Sequence, residues 1–396
     1  TAWPLFCPVV RAAISLAEPR TARKAGDLDL TLLAATLITS VIGVVMVYTG
    51  SRGTAAAAGL SPHYFLERQA LFVLLGIGAM AVLTALDYRR LELFGMVIYG
   101  VSIVGLLGVF VIGHHAQGAG RWISVGPIEI QPSEFAIVGL IIGLATFVAR
   151  RDDGLTWRDL FRMLIMAAVP MLLVMAQPDL GTAVIMAVVL VIMLAVAGLP
   201  LRTLCLLAVA AGLLLLVAVK VGPKIGLLHG YQFSRLGSFL EQDSKKPSIQ
   251  QSIWNVKQSK LAIGAGGLHG QGLGNGSQTN YGYVPEQQTD FIFSAVGEQL
   301  GFIGSTLLLG LLAVISWRLL RAAQLARDTF GRLLCGGAFA FVAFSTFQNA
   351  GMAMGIMPVA GVPLPFVSYG GSAVLCFFMV VGITLSVRRL RGRPAA

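Results

Sequence analysis

The chain has 396 residues, 56% of them hydrophobic and 12% charged, with a mean hydropathy of +0.80. Soluble domains carry about 25% charged residues, which excludes a soluble enzyme. It also excludes a nucleic-acid-binding domain, despite a net charge of +11. Apolar runs of roughly 20 residues recur along the whole length, each enough to cross a hydrocarbon core about 30 Å thick. The composition therefore predicts an all-α polytopic membrane protein. Cys7, Cys205, Cys335 and Cys376 lie far apart and show neither a disulfide framework nor zinc-ligand spacing.

Residues 1–28 read as a cytoplasmic tail. Their apolar part is short and is broken by Pro4, Pro8 and Arg11, so neither a signal peptide nor a span is expected there. A membrane domain over 29–390 follows, with ten predicted transmembrane helices near 30–50, 66–87, 91–112, 132–149, 158–176, 178–198, 201–221, 288–317, 331–355 and 366–387. Residues 391–396 form a second tail. Cationic loops face the cytoplasm. Arg89, Arg90, Arg150, Arg151, Arg158, Arg162, Arg202, Arg318, Arg321, Arg327, Arg332, Arg388 and Arg389 all fall on the side of the N-terminal tail. The short loops on the other side hold only Arg52, Arg68 and Arg121, so both termini are expected in the cytoplasm.

One long extracytoplasmic loop, 222–287, joins helices seven and eight. Connections of this length are usually functional or disordered. The semi-apolar pieces "YQFSRLGSFL" and "SIWNVKQSKLAIGAGGL" predict short helices that lie on or dip into the outer surface.

Four polar motifs interrupt the apolar runs: "IQPSEFA" (130–136), "QPDLGTA" (177–183), "PEQQTDFIF" (285–293) and "LPFVSYGGSA" (364–373). They open helices four, six, eight and ten, which all run from outside to inside, so all four face the same outer surface. Each also reads as a helix start, with Pro132 and Pro178 suited to the first helical position. Glu134, Asp179 and Asp290 are expected in first turns, where a carboxylate complements the helix dipole. Capping and chemistry are both open for each acid taken singly. Taken together, ionisable groups at membrane depth and several helix N-termini aimed outward predict a polar site that accepts an anionic group. Asp290 stands at the water–hydrocarbon boundary, before "FIF", where partial desolvation favours a general base. Glu298 follows at i+8 on the expected same helix face, but Gly297 beside it fits a helix–helix contact equally well.

The glycine-rich "GAGGLHGQGLGNG" (264–276) lacks the lysine, spacing and preceding strand of a phosphate-binding loop, and reads as a tight external turn. His114–His115 lacks the spacing of helix-borne metal ligands, and no nucleophile elbow is present. External cations remain as candidates. Arg68, Arg121, Lys257 and Lys260 could hold lipid headgroups or neutralise a leaving phosphate.

The stretches "GRWISVGPIEIQPSEFA", "QPDLGTA", "QSKLAIGAGGLHGQGLG", "PEQQTDFIFSAVGEQLGFIG" and "GIMPVAGVPLPFVSYGGSA" occur in order. Together they resemble the SEDS family (shape, elongation, division and sporulation) from about Asp29 to Arg389. "QSKLAIGAGGL" and "QQTDFIF" look closer to its RodA, or elongation, branch than to its FtsW, or division, branch. The resemblance implies a peptidoglycan glycosyltransferase that polymerises lipid II, an undecaprenyl-diphosphate disaccharide-pentapeptide, at the outer face of the bacterial cytoplasmic (inner) membrane. It places the family's catalytic aspartate on Asp290 and its polar-cavity glutamate on Glu134. The family usually has a lysine three residues after that glutamate; this chain has Ile137, so Glu134 needs another partner, such as Arg68 or Arg121, or a proton.

The expected reaction has Asp290 as base on the acceptor GlcNAc 4-hydroxyl, which attacks C1 of the MurNAc on the growing strand. Undecaprenyl diphosphate leaves, and an α-linked donor becomes a β-1,4 link. Substrate-binding candidates are Glu134, Arg68, Arg121, Lys260, Asp179 and Ser368. A divalent cation (Mg or Mn), with Asp290 as its one candidate ligand, is the only cofactor considered. The chain has no catalytic serine motif for transpeptidation. The resemblance therefore implies a class B penicillin-binding protein as partner, expected on the long external loop and the outer halves of helices eight and nine. A lipid II flippase and a non-catalytic scaffold for wall-synthesis enzymes are the competing readings.

Overall fold

A computed structural model describes residues 28–57, 59–116, 119–126, 128–151, 155–207, 209 and 247–391. Helices α1 (Leu30–Gly50), α2 (Arg52–Ala57), α3 (Tyr64–Ala85) and α4 (Arg89–Ile112) come first. A small antiparallel meander follows, of β1 (His114–Ala116), β2 (Ala119–Val125) and β3 (Ile128–Ile130). Helices α5 (Pro132–Ala149), α6 (Trp157–Ala176), α7 (Leu180–Val196), α8 (Pro247–Gly266), α9 (Ser277–Asn280), α10 (Ile292–Leu325), α11 (Thr329–Ala353) and α12 (Gly371–Leu390) complete the described order. Eight of these (α1, α3, α4, α5, α6, α10, α11 and α12) are long and apolar enough to cross a membrane, and α7 is a shorter apolar helix of 17 residues. The predicted helix at 201–221 is described only at its start, where 201–207 and 209 are helical; 208, 210–221 and all of 222–246 lie outside the described residues.

Burial sorts the helices into core and periphery. Within their apolar windows α5 and α12 are 78% buried and α4 only 17%, so α5 and α12 form the centre while α4 offers its side chains to lipid. α3 packs along α12 and α4 along α5, while α10 touches α1, α8 and α11. α1 runs directly against the chain before α12. A Cβ on Gly43 would overlap the backbone of Phe366 and Val367, so only glycine allows this approach.

The arginine-bearing helix ends gather at one end of the bundle. There Asp29, 3% exposed, caps α1 through the Leu32 N–H (3.2 Å) and accepts from Arg318 Nε of α10 (2.9 Å) and from Arg388 of α12. Nearby the Tyr88 hydroxyl donates to Asp328, whose other oxygen caps α11 through the Gly331 N–H. Burial, reinforced by Asp328, pushes the Tyr88 phenol well above its ordinary range, so it stays a donor at physiological pH. Removing one partner of a buried ion pair is strongly destabilising because it strands the other charge. Asp29→Asn keeps the cap oxygen but not the charge facing two arginines. It should lower stability by about 3 kcal/mol, read as a lower thermal midpoint in detergent; an unchanged midpoint would show that the cluster contributes nothing.

Four details of the opposite end depart from the sequence reading. The all-α expectation missed the meander, whose short strands carry no amphipathic period long enough to detect. Pro178 precedes Asp179, the N-cap of α7, instead of occupying the first helical position. The tenth helix begins at Gly371, so residues 366–369 are free to form a turn. The eighth helix is the largest departure. α10 is two helices merged across Gly301, whose φ of 67° and ψ of −165° are not helical.

Unbroken, 34 residues would reach about 51 Å, well beyond the hydrocarbon core. The break leaves a short outer piece, 292–300, and a spanning piece, 302–325. Residues of the glycine-rich stretch plug the break. The N–H groups of Gln271 and Gly272 donate to the carbonyls of Glu298 (2.9 Å) and Gln299 (3.1 Å). Those of Phe302 and Ile303 donate to Gly267 (2.9 Å) and Leu268 (3.2 Å). A Cβ on Gly301 would strike the backbone at His269 and Gly270. Residues 267–276 of this stretch leave α8 in a series of turns, and their partner is the broken helix.

Candidate active site

Asp290 lies in a turn, not in a helix. α10 begins at Ile292 with Phe291 as its N-cap and no side-chain cap, so Asp290 neither sits in the first turn nor caps the helix. It therefore shares no helix face with Glu298. The turn is built on Glu286, a non-glycine residue at φ 51°, a conformation that costs of order 1 kcal/mol and needs surrounding support. The Glu286 carbonyl collects the N–H groups of Thr289 (3.2 Å), Asp290 (3.1 Å) and Phe291 (3.3 Å).

Three consecutive carbonyls of the turn are held from outside it. Gln288 O accepts from the Tyr369 N–H (2.9 Å), Thr289 O from Ser368 Oγ (2.6 Å) and Asp290 O from Asn349 Nδ2 (2.8 Å). The main chain around Asp290 is thus fully hydrogen-bonded, and the residue itself is half-buried. Ser368, 2% exposed, also accepts from the Leu364 N–H (2.8 Å), and its carbonyl accepts from Gln69 Nε2 (3.1 Å). Its hydroxyl is engaged with the Asp290 turn. Arg68, one residue before Gln69, stacks over the Tyr64 ring, with its guanidinium close enough to act on the Tyr369 phenol. Burial raises the Tyr369 phenol against the opposing pull of that guanidinium. Arg68 is accordingly joined to the Asp290 turn through Tyr369, whose N–H holds Gln288.

A second polar cluster surrounds Asp179. This 2%-exposed carboxylate caps α7 through the Thr182 N–H (3.3 Å) and accepts from Thr182 Oγ1 (2.9 Å), Gln131 Nε2 (3.3 Å) and Ser133 Oγ (3.4 Å). The capping reading holds for Asp179. Arg121 of β2 fastens the meander to this corner, donating from Nε to Gln177 O (3.0 Å) and also to Pro178 O, with its Nη1 4.0 Å from Asp179. Its guanidinium is occupied by these groups and forms no ion pair with Glu134. Glu134, 3% exposed in the first turn of α5, feels the Asp179 charge, and its Oε2 has no hydrogen-bond partner among the described residues. The Gln131 N–H meets Ser372 Oγ (2.9 Å), so the two clusters flank one segment, 366–372.

Lys260 and Glu298 lie elsewhere. Lys260 is exposed on α8 and packs against Gly355, just past the C-terminus of α11. That C-terminus is tied to the same helix by Ser259 Oγ donating to Ala353 O (2.8 Å). A cation there complements the helix dipole. Glu298 is fully buried and caps α9, accepting from the N–H groups of Gln278 (2.7 Å) and Thr279 (3.0 Å) and from Thr279 Oγ1 (2.6 Å). Among the described residues no group of three or more His, Cys, Asp or Glu side chains is placed to hold a metal ion.

Sequence reasoning did not single out Gln69, Gln131, Asn349 or Tyr369. The run "FSTFQNAGM" carried a usable signal, since polar amides inside an apolar span are expensive and mark a role. These helices and clusters define a multi-pass membrane protein with a site bearing Asp290, Asp179 and Glu134 at the bundle end opposite the cluster of Asp29, Arg318 and Arg388.

The family model described as "Cell cycle protein" (FtsW/RodA/SpoVE) matches residues 29–392, and the chain belongs to this family, the SEDS proteins of the sequence resemblance. It is 35% identical over 365 residues to a probable peptidoglycan glycosyltransferase FtsW of Trichlorobacter lovleyi, covering 91% of this chain and 93% of that one. It is 36% identical over 328 residues to the peptidoglycan glycosyltransferase MrdB of Escherichia coli K12, covering 82% and 86%. A chain of a solved peptidoglycan synthase complex, described for its coordination of polymerization and crosslinking, superposes with a TM-score of 0.76 at 29% identity, over 93% of this chain and 99% of that one.

Proposed function

We propose that the protein is a peptidoglycan glycosyltransferase that polymerises lipid II into β-1,4 glycan strands at the outer face of the bacterial inner membrane, with Asp290 as general base. The observation that carries this reading is the Asp290 turn. A half-buried carboxylate stands on a backbone whose three neighbouring carbonyls are each tied to another segment. Catalysis of this kind needs a base held in register with an acceptor hydroxyl. Asp290 takes the proton of the GlcNAc 4-hydroxyl as its oxygen attacks C1 of the strand-end MurNAc. The C1–diphosphate bond breaks, and undecaprenyl diphosphate departs with inversion.

Arg68, beside Tyr369, and Lys260 on α8 are the cations proposed to meet the diphosphate. Asp179, Arg121 and Ser368 hold the segments that frame the site, and Glu134, with its Oε2 unpaired among the described residues, is kept as a substrate-binding residue. Mg²⁺ commonly takes one or two carboxylates plus substrate phosphates. Asp290 with a diphosphate fits that pattern, and a bound divalent ion would supply charge neutralisation. The ten-helix topology with both termini in the cytoplasm, the domain 29–390 and the external loop 222–287 are part of the same reading, supported by the clustering of arginines at one bundle end. The elongation role rests on "QSKLAIGAGGL" and "QQTDFIF". A class B penicillin-binding protein partner is supported by the likeness to a chain of a synthase complex.

The decisive experiment supplies lipid II in detergent to the purified protein with its partner. Glycan product requires an enzyme; its absence, with transport of lipid II in vesicles instead, would favour a flippase, and absence of both a scaffold.

A further inference from the structure

Asn349 is fully buried in α11, and its amide nitrogen donates to two main-chain carbonyls from separate segments, Asp290 O (2.8 Å) and Val362 O (2.8 Å). The next residue back, Gln348, grips the same loop through Pro358 O (2.8 Å). The other two outside donors to the turn, Ser368 and Tyr369, come from the non-helical segment preceding α12. Asn349 is the donor that stands on a long, buried helix.

We propose that Asn349 is a positioning residue for the reaction: it fixes the carbonyl of Asp290, and so the carboxylate, against the rigid frame of α11. This rests on the reading of Asp290 as general base. Neither hydrogen of its amide goes to a side chain, so its contribution is geometric. A donor lost here removes this partner from the buried Val362 carbonyl and the part-buried Asp290 carbonyl, and leaves the Asp290–Phe291 peptide held only through its N–H on Glu286. A misplacement of a catalytic group by about 1 Å can cost on the order of 10²-fold in rate.

The test measures kcat and KM for lipid II polymerisation per folded molecule in Asn349→Ala and Asn349→Ser, with Asp29→Asn as a control for lost stability at the opposite end. Asn349→Ala should lower kcat by about 10–100-fold with KM little changed. Asn349→Ser, which keeps one donor, should recover part of that loss, and Asp29→Asn should lower the thermal midpoint without lowering kcat per folded molecule. An unchanged kcat in folded Asn349→Ala overturns the proposal. So does a loss in Asn349→Ala that is matched by Asp29→Asn, because the effect would then be one of stability. Full activity in Asp290→Asn, read from that variant alone, overturns the base assignment and with it this role.

Discussion

Asp290→Asn should abolish polymerisation while leaving the fold intact. A positioned general base contributes about 10²–10⁴-fold in rate, and the amide is close in shape to the carboxylate but cannot take a proton at neutral pH. The turn that carries it is held through main-chain groups at Gln288, Thr289 and Asp290, which this substitution does not touch. The variant should therefore purify and melt like the parent. Glycan strand length distributions from lipid II, set beside a thermal melt, provide the readout. A variant that polymerises at the parental rate would remove Asp290 from the chemistry.

Eight residues further on, the opposite outcome is expected. Glu298→Ala should damage the fold. Its carboxylate holds two N–H groups and a hydroxyl at the start of α9, and Thr279, which supplies two of these three donors, is 1% exposed. Hydrogen bonds to charged groups contribute about 1.5–3 kcal/mol each, and leaving their buried donors unpaired adds to the loss. The total for this site should reach about 3–5 kcal/mol. Glu298→Gln keeps an acceptor and should lose less. The measurement is the thermal midpoint and the yield of monodisperse protein, with activity normalised to the folded fraction. Glu298→Ala at parental stability would refute the capping role, and a large loss of activity in a stable variant would move this acid into the chemistry.

These two acids also show what sequence can and cannot reveal. Span positions, their alternation and the common face of the four polar motifs are written in hydropathy and arginine placement, which are properties of composition along the chain. Membership of the family follows from motifs of the same kind. The distinct fates of Asp290 and Glu298 depend on where a helix starts and where it breaks. "DFIFSAVGEQLGFIG" reads as one apolar run, because a hydropathy window cannot sense that Gly301 adopts φ 67°. The work assigned to Arg121 by the structure was likewise hidden. An external arginine looks the same in sequence whether it awaits an anion or closes on the carbonyls of Gln177 and Pro178. Asn349 was legible in principle, since an amide inside an apolar span is costly, but its target lies 59 residues away in sequence.

The broken helix has a mechanical consequence. The short piece 292–300 carries Asp290 at one end, and at the other it is bonded to residues 271 and 272 through the carbonyls of Glu298 and Gln299. Glu298 adds a third attachment, to α9. Piece, glycine-rich stretch and α9 therefore form one stiff plate, and the spanning helix is bonded to the same plate through the Phe302 and Ile303 N–H groups on Gly267 and Leu268. The glycine-rich stretch thus splints the break from both sides, so a displacement of the spanning helix is passed through that splint to the piece that leads back to the aspartate.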